Sequence, residues 1–269
     1  MFTVEVKLPS GKSTRIRELT NKEYLCIIKY AQNSDYMGLN KYFEEKYIDP
    51  NMHIIDRLYL LIYVRMIFID SNITLTVDDK SIDIGLETVL DNIEKSYIDL
   101  ETRFTVSGIE VGLDLPCITY YKSVDELLIA TIKELKINDN NIKFQNLSIN
   151  EQREILDGLP ANIFSSINKF IQTIQDNLLV MPLINENKAL GMESMDIEVL
   201  GNGVMHFITS IFSTDLEGYY SLIYTFQNSI MPGSRFFFDM SPIETQLILN
   251  AHKKKLKAEH DQLQKQNKG

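Results

Sequence analysis

Residues 54–69 read IIDRLYLLIYVRMIFI, and the rest of the chain has to fold around this segment. Seven consecutive apolar residues, LYLLIYV, stand at its centre, and only Asp56, Arg57 and Arg65 carry charge. The segment is too short and too charged to cross a bilayer, which requires about 20 mostly apolar residues. A segment that is apolar on every face belongs in the interior of a sizeable domain. We therefore predict a buried helix here, and the β-branched content leaves a buried strand as the alternative.

The chain before this segment predicts a β-hairpin that leads into a helix. Within residues 3–19, two stretches alternate between polar and apolar side chains on either side of a Pro-Ser-Gly turn signal at residues 9–11. Thr20 and Glu23 then have the spacing of a capping box, in which each side chain accepts a hydrogen bond from the other residue's backbone N–H. We expect the first helix to begin here, and a second, more polar helix to cover residues 38–47.

The chain after the buried segment predicts a small β-rich module. Two strand–turn–strand patterns, at residues 72–84 and 98–115, flank a short amphipathic helix. From Ser123 onwards the pattern is helical, with capping boxes predicted at Ser123 and Ser148. The sequence thus predicts an α+β fold that is mainly helical, with an N-terminal β-hairpin and a small central β-rich module.

This pattern divides the chain into three regions. An N-terminal hairpin with helices covers residues 1–69, the β-rich module covers residues 70–122, and a C-terminal helical region covers residues 123–269. One continuous domain is the alternative, because no stretch has the composition of a clear linker; residues 138–141 come nearest to one.

The C-terminal region is predicted to contain a polar loop followed by three helices. Residues 185–203 hold three glycines and predict a mobile loop or a weak hairpin. Two helices are expected over residues 204–212 and 216–230. A Ser-Pro-Ile-Glu sequence at residues 241–244 then combines three helix-start signals, and the final helix should run to about residue 264. The partner heptad positions in that helix are polar, which argues against a coiled coil.

Charge is unevenly distributed along the chain. The whole chain carries a formal charge of −10 and has a pI of about 5.0. Residues 251–269 contain six lysines and two acidic residues, so this end carries +4 and the rest carries −14. An acidic surface repels phosphates, so we expect no nucleic-acid partner. The basic end is either a solvated helix terminus or a contact for an acidic partner, with Lys253, Lys254 and Lys255 as the candidate contact residues.

The sequence shows no motif for catalysis, cofactor binding or metal binding. The two cysteines, Cys26 and Cys117, are isolated, which favours a reducing compartment, and each is expected to be a packed thiol. The N-terminus shows no secretory signal pattern. The four histidines lack metal-ligand spacing, and neither a nucleophile elbow nor a phosphate-binding loop is present. We therefore expect no enzyme activity, while a small hydrolase with an unrecognised pair of carboxylates remains the alternative.

Three consecutive aromatic residues, Phe236, Phe237 and Phe238, precede the final helix. They are expected to pack that helix onto the body of the protein, as a hydrophobic staple does. The alternative is an exposed anchor for a protein partner, because aromatic side chains dominate binding hot spots.

Several segments, in order, resemble baseplate hub and hub-assembly proteins of T-even-type contractile-tailed phages. They are KLPSGKSTRIRELTNKEYL at the start, ITLTVDDKSIDIG and FTVSGIEVGLDLP in the β-rich module, DGLPANIFSSINKFI, and MSPIETQLILNAHKKKLKAE at the end. Each motif is short and apolar, and their order carries the resemblance.

The resemblance implies a phage baseplate hub assembly factor that acts by protein–protein binding, without catalysis. A permanent structural component of the virion baseplate hub is the alternative. Its partners would be other phage baseplate hub and tail proteins, with neither nucleic acid nor membrane involved, and the oligomeric state stays open. It would act in the host cytoplasm during assembly, or remain in the virion. The family supplies no catalytic residue, cofactor or metal site.

Overall fold

A computed structural model describes residues 3–77, 80–98, 100, 102–137, 140–182, 194–231 and 236–266. The described helices are α1 (Asn21–Gln32), α2 (Tyr36–Lys46), α3 (Ile54–Phe68), α4 (Leu86–Ser96), α5 (Val124–Thr131), α6 (Ile149–Gly158), α7 (Ala161–Leu178), α8 (Gly203–Phe212), α9 (Leu216–Thr225) and α10 (Pro242–Gln266). The described strands are β1 (Thr3–Lys7), β2 (Ser13–Arg17), β3 (Asn72–Val77), β4 (Lys80–Gly85), β5 (Thr102–Val106), β6 (Ile109–Leu113), β7 (Ile132–Ile137), β8 (Asn140–Lys143), β9 (Val180–Pro182) and β10 (Ser194–Asp196). The predicted α+β class, mainly helical, is confirmed.

The segment at residues 54–69 forms α3, which is buried on nearly every side. Twelve of its fifteen residues are buried, and only Tyr63, Met66 and Ile67 are partly exposed. Helices α4 and α8 pack against it. The predicted buried helix is therefore confirmed, and the alternative of a buried strand is wrong.

Two of the three charged residues in this segment tie α3 to the elements before it. Asp56 is fully buried, and its carboxylate accepts hydrogen bonds from the Ser10 backbone N–H at 3.1 Å and the Ser10 hydroxyl at 2.6 Å. Arg57 donates to the Met52 carbonyl at 2.6 Å and to the Glu44 carboxylate at 2.9 Å. Buried charges are tolerated only when they are paired or hydrogen-bonded. These contacts thus fix the hairpin turn and α2 against α3.

The predicted N-terminal hairpin and helix cap are both present. Strands β1 and β2 pair antiparallel, with Gly11 at a φ of +81° in the turn. The capping box between Thr20 and Glu23 begins α1. Arg17 at the end of β2 also donates hydrogen bonds to the Glu23 carboxylate from both terminal guanidinium nitrogens. One glutamate therefore joins the hairpin to the first helix.

The β-rich module extends beyond the predicted boundary. Strands β3 and β4 form a two-stranded sheet, while β5, β6, β7 and β8 form a four-stranded antiparallel sheet. The expectation that residues 123–269 are helical is wrong for residues 132–143, which supply β7 and β8. The apolar residues Ile132 and Leu135 are three apart, a spacing that also fits a helix, and pairing with β6 decides in favour of a strand. The linker-like residues 138–141 overlap the start of β8, and residues 138 and 139 lie outside the described residues.

Not all predicted helix boundaries agree with the structure. Ser148 forms its capping box, but Ser123 does not: the Glu126 carboxylate accepts instead from the backbone N–H of Lys122, at 2.8 Å. Helix α7 ends at Leu178, and the chain then forms the short β9–β10 hairpin. Within the predicted loop or weak hairpin at residues 185–203, residues 185–193 lie outside the described residues, whereas residues 194–196 form β10 and residues 200–202 form a 3-10 turn.

The hydrophobic core is a single cluster that runs through all three predicted regions. Its buried members extend from Val6 in β1, through α3 and the β-rich module, to Phe237 before α10. The predicted three-region division is not tested by this continuity and stays a prediction.

Truncation of a side chain in α3 tests the dependence of the fold on this helix. Leu60 is fully buried, so we expect Leu60→Ala to lower the free energy of unfolding by about 2–5 kcal/mol, through lost burial and a cavity. The matched control is Leu247→Ala, since Leu247 is 64% exposed and its loss should change stability by less than about 0.5 kcal/mol. Urea denaturation measures both. Equal effects of the two substitutions would contradict the central position of α3.

The junction at Glu23 predicts a pH-dependent stability. Burial alone would raise the pKa of Glu23, but hydrogen bonds from Arg17 and Thr20 outweigh it and hold the pKa below its ordinary value of 4.5. A carboxylate with a lowered pKa stabilises the folded state above its unfolded pKa, and that contribution is lost as pH falls through the folded pKa. At neutral pH we expect Glu23→Gln to cost about 1 kcal/mol, as loss of a helix cap does.

Denaturation of wild type and Glu23→Gln as a function of pH checks this expectation. The two stability curves should begin to converge as the pH falls below 4.5 and should meet below the lowered pKa of the folded state, where protonation has removed the same charge from the wild type. A difference in stability between the two proteins that stays constant from neutral to acid pH would show that the charge of the Glu23 carboxylate does not stabilise the fold.

Candidate functional site

Exposed apolar side chains concentrate towards the C-terminal end of the chain. Among the residues that the structure describes, twelve large hydrophobic ones are exposed, and seven of them lie between residues 220 and 256: Tyr220, Tyr224, Met231, Phe236, Ile243, Leu247 and Leu256. We call the exposed side chains of α9, the turn at residues 236–239 and α10 the C-terminal surface. Concentrations of exposed apolar and aromatic side chains are typical of protein-binding surfaces.

The three consecutive phenylalanines differ in how deeply they are buried. Phe237 is fully buried, and its ring lies 5.2 Å from that of Phe226 and 6.4 Å from that of Tyr219. Phe238 is partly buried against the core, whereas Phe236 is 66% exposed. Phe237 is therefore the packing residue that the staple hypothesis requires. Phe236 alone retains the exposure that the hypothesis of an anchor requires.

A buried asparagine, Asn21, fixes the C-terminal surface to the body. Its side-chain amide donates to the Phe237 carbonyl at 2.8 Å and to the Thr245 hydroxyl at 2.6 Å, and its amide oxygen accepts from the Tyr219 hydroxyl at 3.1 Å. Its backbone N–H donates to the Met240 carbonyl at 2.7 Å. The first residue of α1 thus holds α9, the turn and α10 together. The sequence gives no signal for this role, because the partners of Asn21 lie about 200 residues away in the chain.

The final helix continues beyond the body of the protein. The capping box between Ser241 and Glu244 is present, so the predicted helix start is confirmed. Residues 253–262 are all exposed, whereas His252 is still partly buried. At 1.5 Å per residue, the helix beyond His252 is about 20 Å long.

The basic residues predicted as partner contacts lie on this projecting part of α10. Lys253, Lys254 and Lys255 are exposed, and Lys255 lies 3.8 Å from the Glu259 carboxylate. Such exposed pairs contribute little to stability, so the lysines are available to a partner. Their role as contacts stays a prediction.

The cysteines differ from the sequence-based expectation in one case. Cys26 is exposed on α1 rather than packed, because the helix turns it away from its buried neighbour Ile27. Cys117 is partly buried, and this burial raises the pKa of its thiol, which disfavours the nucleophilic thiolate. Among the described residues, no three His, Cys, Asp or Glu side chains are grouped closely enough to hold a metal ion. No helix in the described ranges is both long and apolar enough to span a membrane.

A protein-family model with the description "T4 bacteriophage base plate protein" matches residues 1–200. The chain belongs to this family. The match covers the hairpin, α3, the β-rich module and α7, so the predicted relation to phage baseplate proteins is confirmed at the level of the family. No curated protein and no solved structure matches the chain. Helices α8, α9 and α10, and with them the C-terminal surface, lie beyond the matched residues.

Two neighbouring substitutions separate the packing role of this region from its exposed surface. We expect Phe237→Ala to lower the free energy of unfolding by about 3–5 kcal/mol, because it removes a fully buried ring. Phe236→Ala should change stability by less than about 0.5 kcal/mol. Thermal and urea denaturation of both variants measure the difference. If Phe236→Ala were the more destabilising, the division between the two residues would be wrong.

Proposed function

We propose that this baseplate protein acts as an assembly factor for the baseplate hub, by binding other tail proteins and without catalysis. The family match over residues 1–200 is the observation that carries the proposal. The ordered resemblance to hub and hub-assembly proteins supports the hub as the place of action. In this proposal the protein works in the host cytoplasm while hubs are built, and its partners are other hub and tail proteins.

The composition of the C-terminal surface supports a binding role. Tyrosine, phenylalanine and methionine side chains are enriched at protein interfaces and supply much of their binding energy. Phe236, Tyr224 and Leu247 are each more than 60% exposed, although their neighbours belong to a well-packed core. The projecting basic part of α10 adds positive charge to an otherwise acidic chain, and complementary charge steers an acidic partner towards it.

The structural pairing of several carboxylates also supports a role without catalysis. In the described part of the chain, Asp56 is bound by Ser10, and Glu23 and Glu44 pair with Arg17 and Arg57. These carboxylates are each engaged by a structural hydrogen bond or ion pair. A general acid or base instead requires a carboxylate that is free to exchange a proton with a substrate.

A permanent structural component of the virion hub is the second candidate, and particle composition distinguishes the two. Mass spectrometry of purified virions should find an assembly factor absent or present below one copy per hub position. A fixed stoichiometric amount would instead establish a structural component. Deletion of the gene should leave infected cells without complete hubs in both cases, and normal tails from the deletion phage would contradict the proposal itself.

Substitutions on the C-terminal surface test where the partner binds. We expect Phe236→Ala combined with Leu247→Ala to abolish copurification of other tail proteins from infected cells, because both side chains are exposed and apolar. In the otherwise wild-type chain, reversal of charge at Lys253, Lys254 and Lys255 should weaken copurification, and more strongly at low salt.

The matched control removes apolar side chains that are also more than half exposed but lie elsewhere. Met37 in α2 and Val124 in α5 are each 52% exposed, and their replacement by alanine should leave copurification unchanged. All variants should retain the wild-type unfolding midpoint, because the substituted side chains are exposed. Loss of partners in the control, with the C-terminal variants unaffected, would place the binding surface elsewhere.

A further inference from the structure

A cavity of about 230 Å³ lies where α1, the end of α3, α9 and the first turn of α10 meet. Its polar lining residues are Asn21, Tyr24, Arg65, Asp70, Thr214, Tyr219, Thr245 and Gln246. The same elements carry the C-terminal surface: Tyr219 precedes the exposed Tyr220, and Gln246 precedes the exposed Leu247. A polypeptide bound to that surface would therefore pass close to the cavity.

Arg65 is the buried cation of this cavity, and it differs from Arg57, the other buried arginine among the described residues. It is 8% exposed, and it donates to the Ile211 carbonyl at 2.8 Å and to the Asp70 carbonyl at 2.6 Å. It forms no ion pair with any carboxylate among the described residues, whereas Arg17 and Arg57 each pair with a glutamate. A guanidinium has five N–H donors, and these two contacts leave three without an acceptor in the described part of the chain.

The environment of Arg65 makes its positive charge incompletely compensated. Burial lowers the pKa of Arg65, with smaller opposing effects from Tyr24 and Asp70. Asp70 is exposed at the edge of the cavity, and its carboxylate accepts a hydrogen bond from the backbone N–H of Asn72 at 2.9 Å. A buried cation with neutral carbonyl partners is costly unless a counter-charge accompanies it. An anion in the cavity would supply that counter-charge.

Two further donors point to the kind of anion. The Tyr24 hydroxyl and the Gln246 amide line the cavity and have no hydrogen-bond partner among the described residues. Burial raises the pKa of Tyr24, so its hydroxyl remains a donor at neutral pH. A planar guanidinium with neighbouring neutral donors matches the two oxygens of a carboxylate.

We propose that this cavity receives a carboxylate of the partner polypeptide that binds the C-terminal surface. The carboxylate is either an acidic side chain or a C-terminus, and Arg65, Tyr24 and Gln246 donate hydrogen bonds to it. This inference rests on the proposed partner-binding function and adds the chemistry of one contact. Asp70 acts against the bound anion from the edge of the cavity.

The test uses the full chain and three acetylated tetrapeptides as probes. The first is amidated and contains one central glutamate, the second ends in a free carboxylate, and the third is amidated with glutamine in place of glutamate. The arginine Nε–H resonances of labelled protein report binding at Arg65 by nuclear magnetic resonance. We expect at least one of the two carboxylate peptides to give a saturable shift, and which one does identifies the source of the carboxylate.

Substitutions in the cavity lining should change the affinity for the carboxylate peptide in opposite directions. Tyr24→Phe and Gln246→Ala each remove a neutral donor and should weaken binding about fivefold, as loss of one hydrogen bond of about 1 kcal/mol does. Asp70→Asn removes the like charge and should strengthen binding severalfold. Tyr220→Phe is the matched control outside the cavity lining and should have no effect. None of these variants alters Arg65 itself.

Any of three results would overturn the inference. The first is the absence of any saturable shift with either carboxylate peptide, and the second is equal binding of the glutamine peptide. Weaker binding in Asp70→Asn than in wild type would also contradict it, because the anion would then not lie against Arg65. None of these results would change the gene-deletion and particle-composition outcomes. Failure of the carboxylate-binding inference is therefore distinguishable from failure of the proposed function.

Discussion

The burial of α3 together with its charged side chains is the constraint on which the rest of the structure depends. A helix that is apolar on every face must be covered from all sides, and the hairpin, α2, α4 and α8 supply that cover. Asp56, Arg57 and Arg65 would each destabilise such a core if they were left unsatisfied. Each instead bonds to a different neighbour, so the charges that interrupt the apolar segment also set where the hairpin, α2 and the end of α8 lie.

The C-terminal elements are attached to this body by a second buried polar contact. Asn21, at the start of α1, bonds to α10, to α9 and to the turn at residues 236–239, and Phe237 packs beneath them. This attachment keeps the base of α10 rigid while its second half extends into solvent. The family match ends at residue 200, so it includes α3 and the β-rich module but not α8, which packs against α3. The exposed aromatic and basic side chains lie beyond that match.

Sequence alone was sufficient where a local pattern decides the structure. The buried segment, the N-terminal hairpin and the capping boxes at Thr20 and Ser148 depend on nearby residues, and all are confirmed. The sequence was insufficient where contacts between distant parts of the chain decide the structure. Residues 132–143 have a spacing that fits either a helix or a strand, and only the neighbouring strand β6 selects between them. The three phenylalanines could not be divided into buried and exposed members, nor could the partners of Asn21 be identified, because both depend on elements about 200 residues apart.

Hydrogen–deuterium exchange of the protein, alone and in the complex purified from infected cells, tests most directly whether a rigid body presents a C-terminal binding surface. In the free protein, the account predicts that amides of α3 exchange most slowly and that those of α10 beyond His252 exchange fastest. In the complex, new protection should appear in α9, the turn and α10, while α3 is unchanged. The account would be contradicted by a complex in which new protection covers the β-rich module and leaves α9 and α10 as they were.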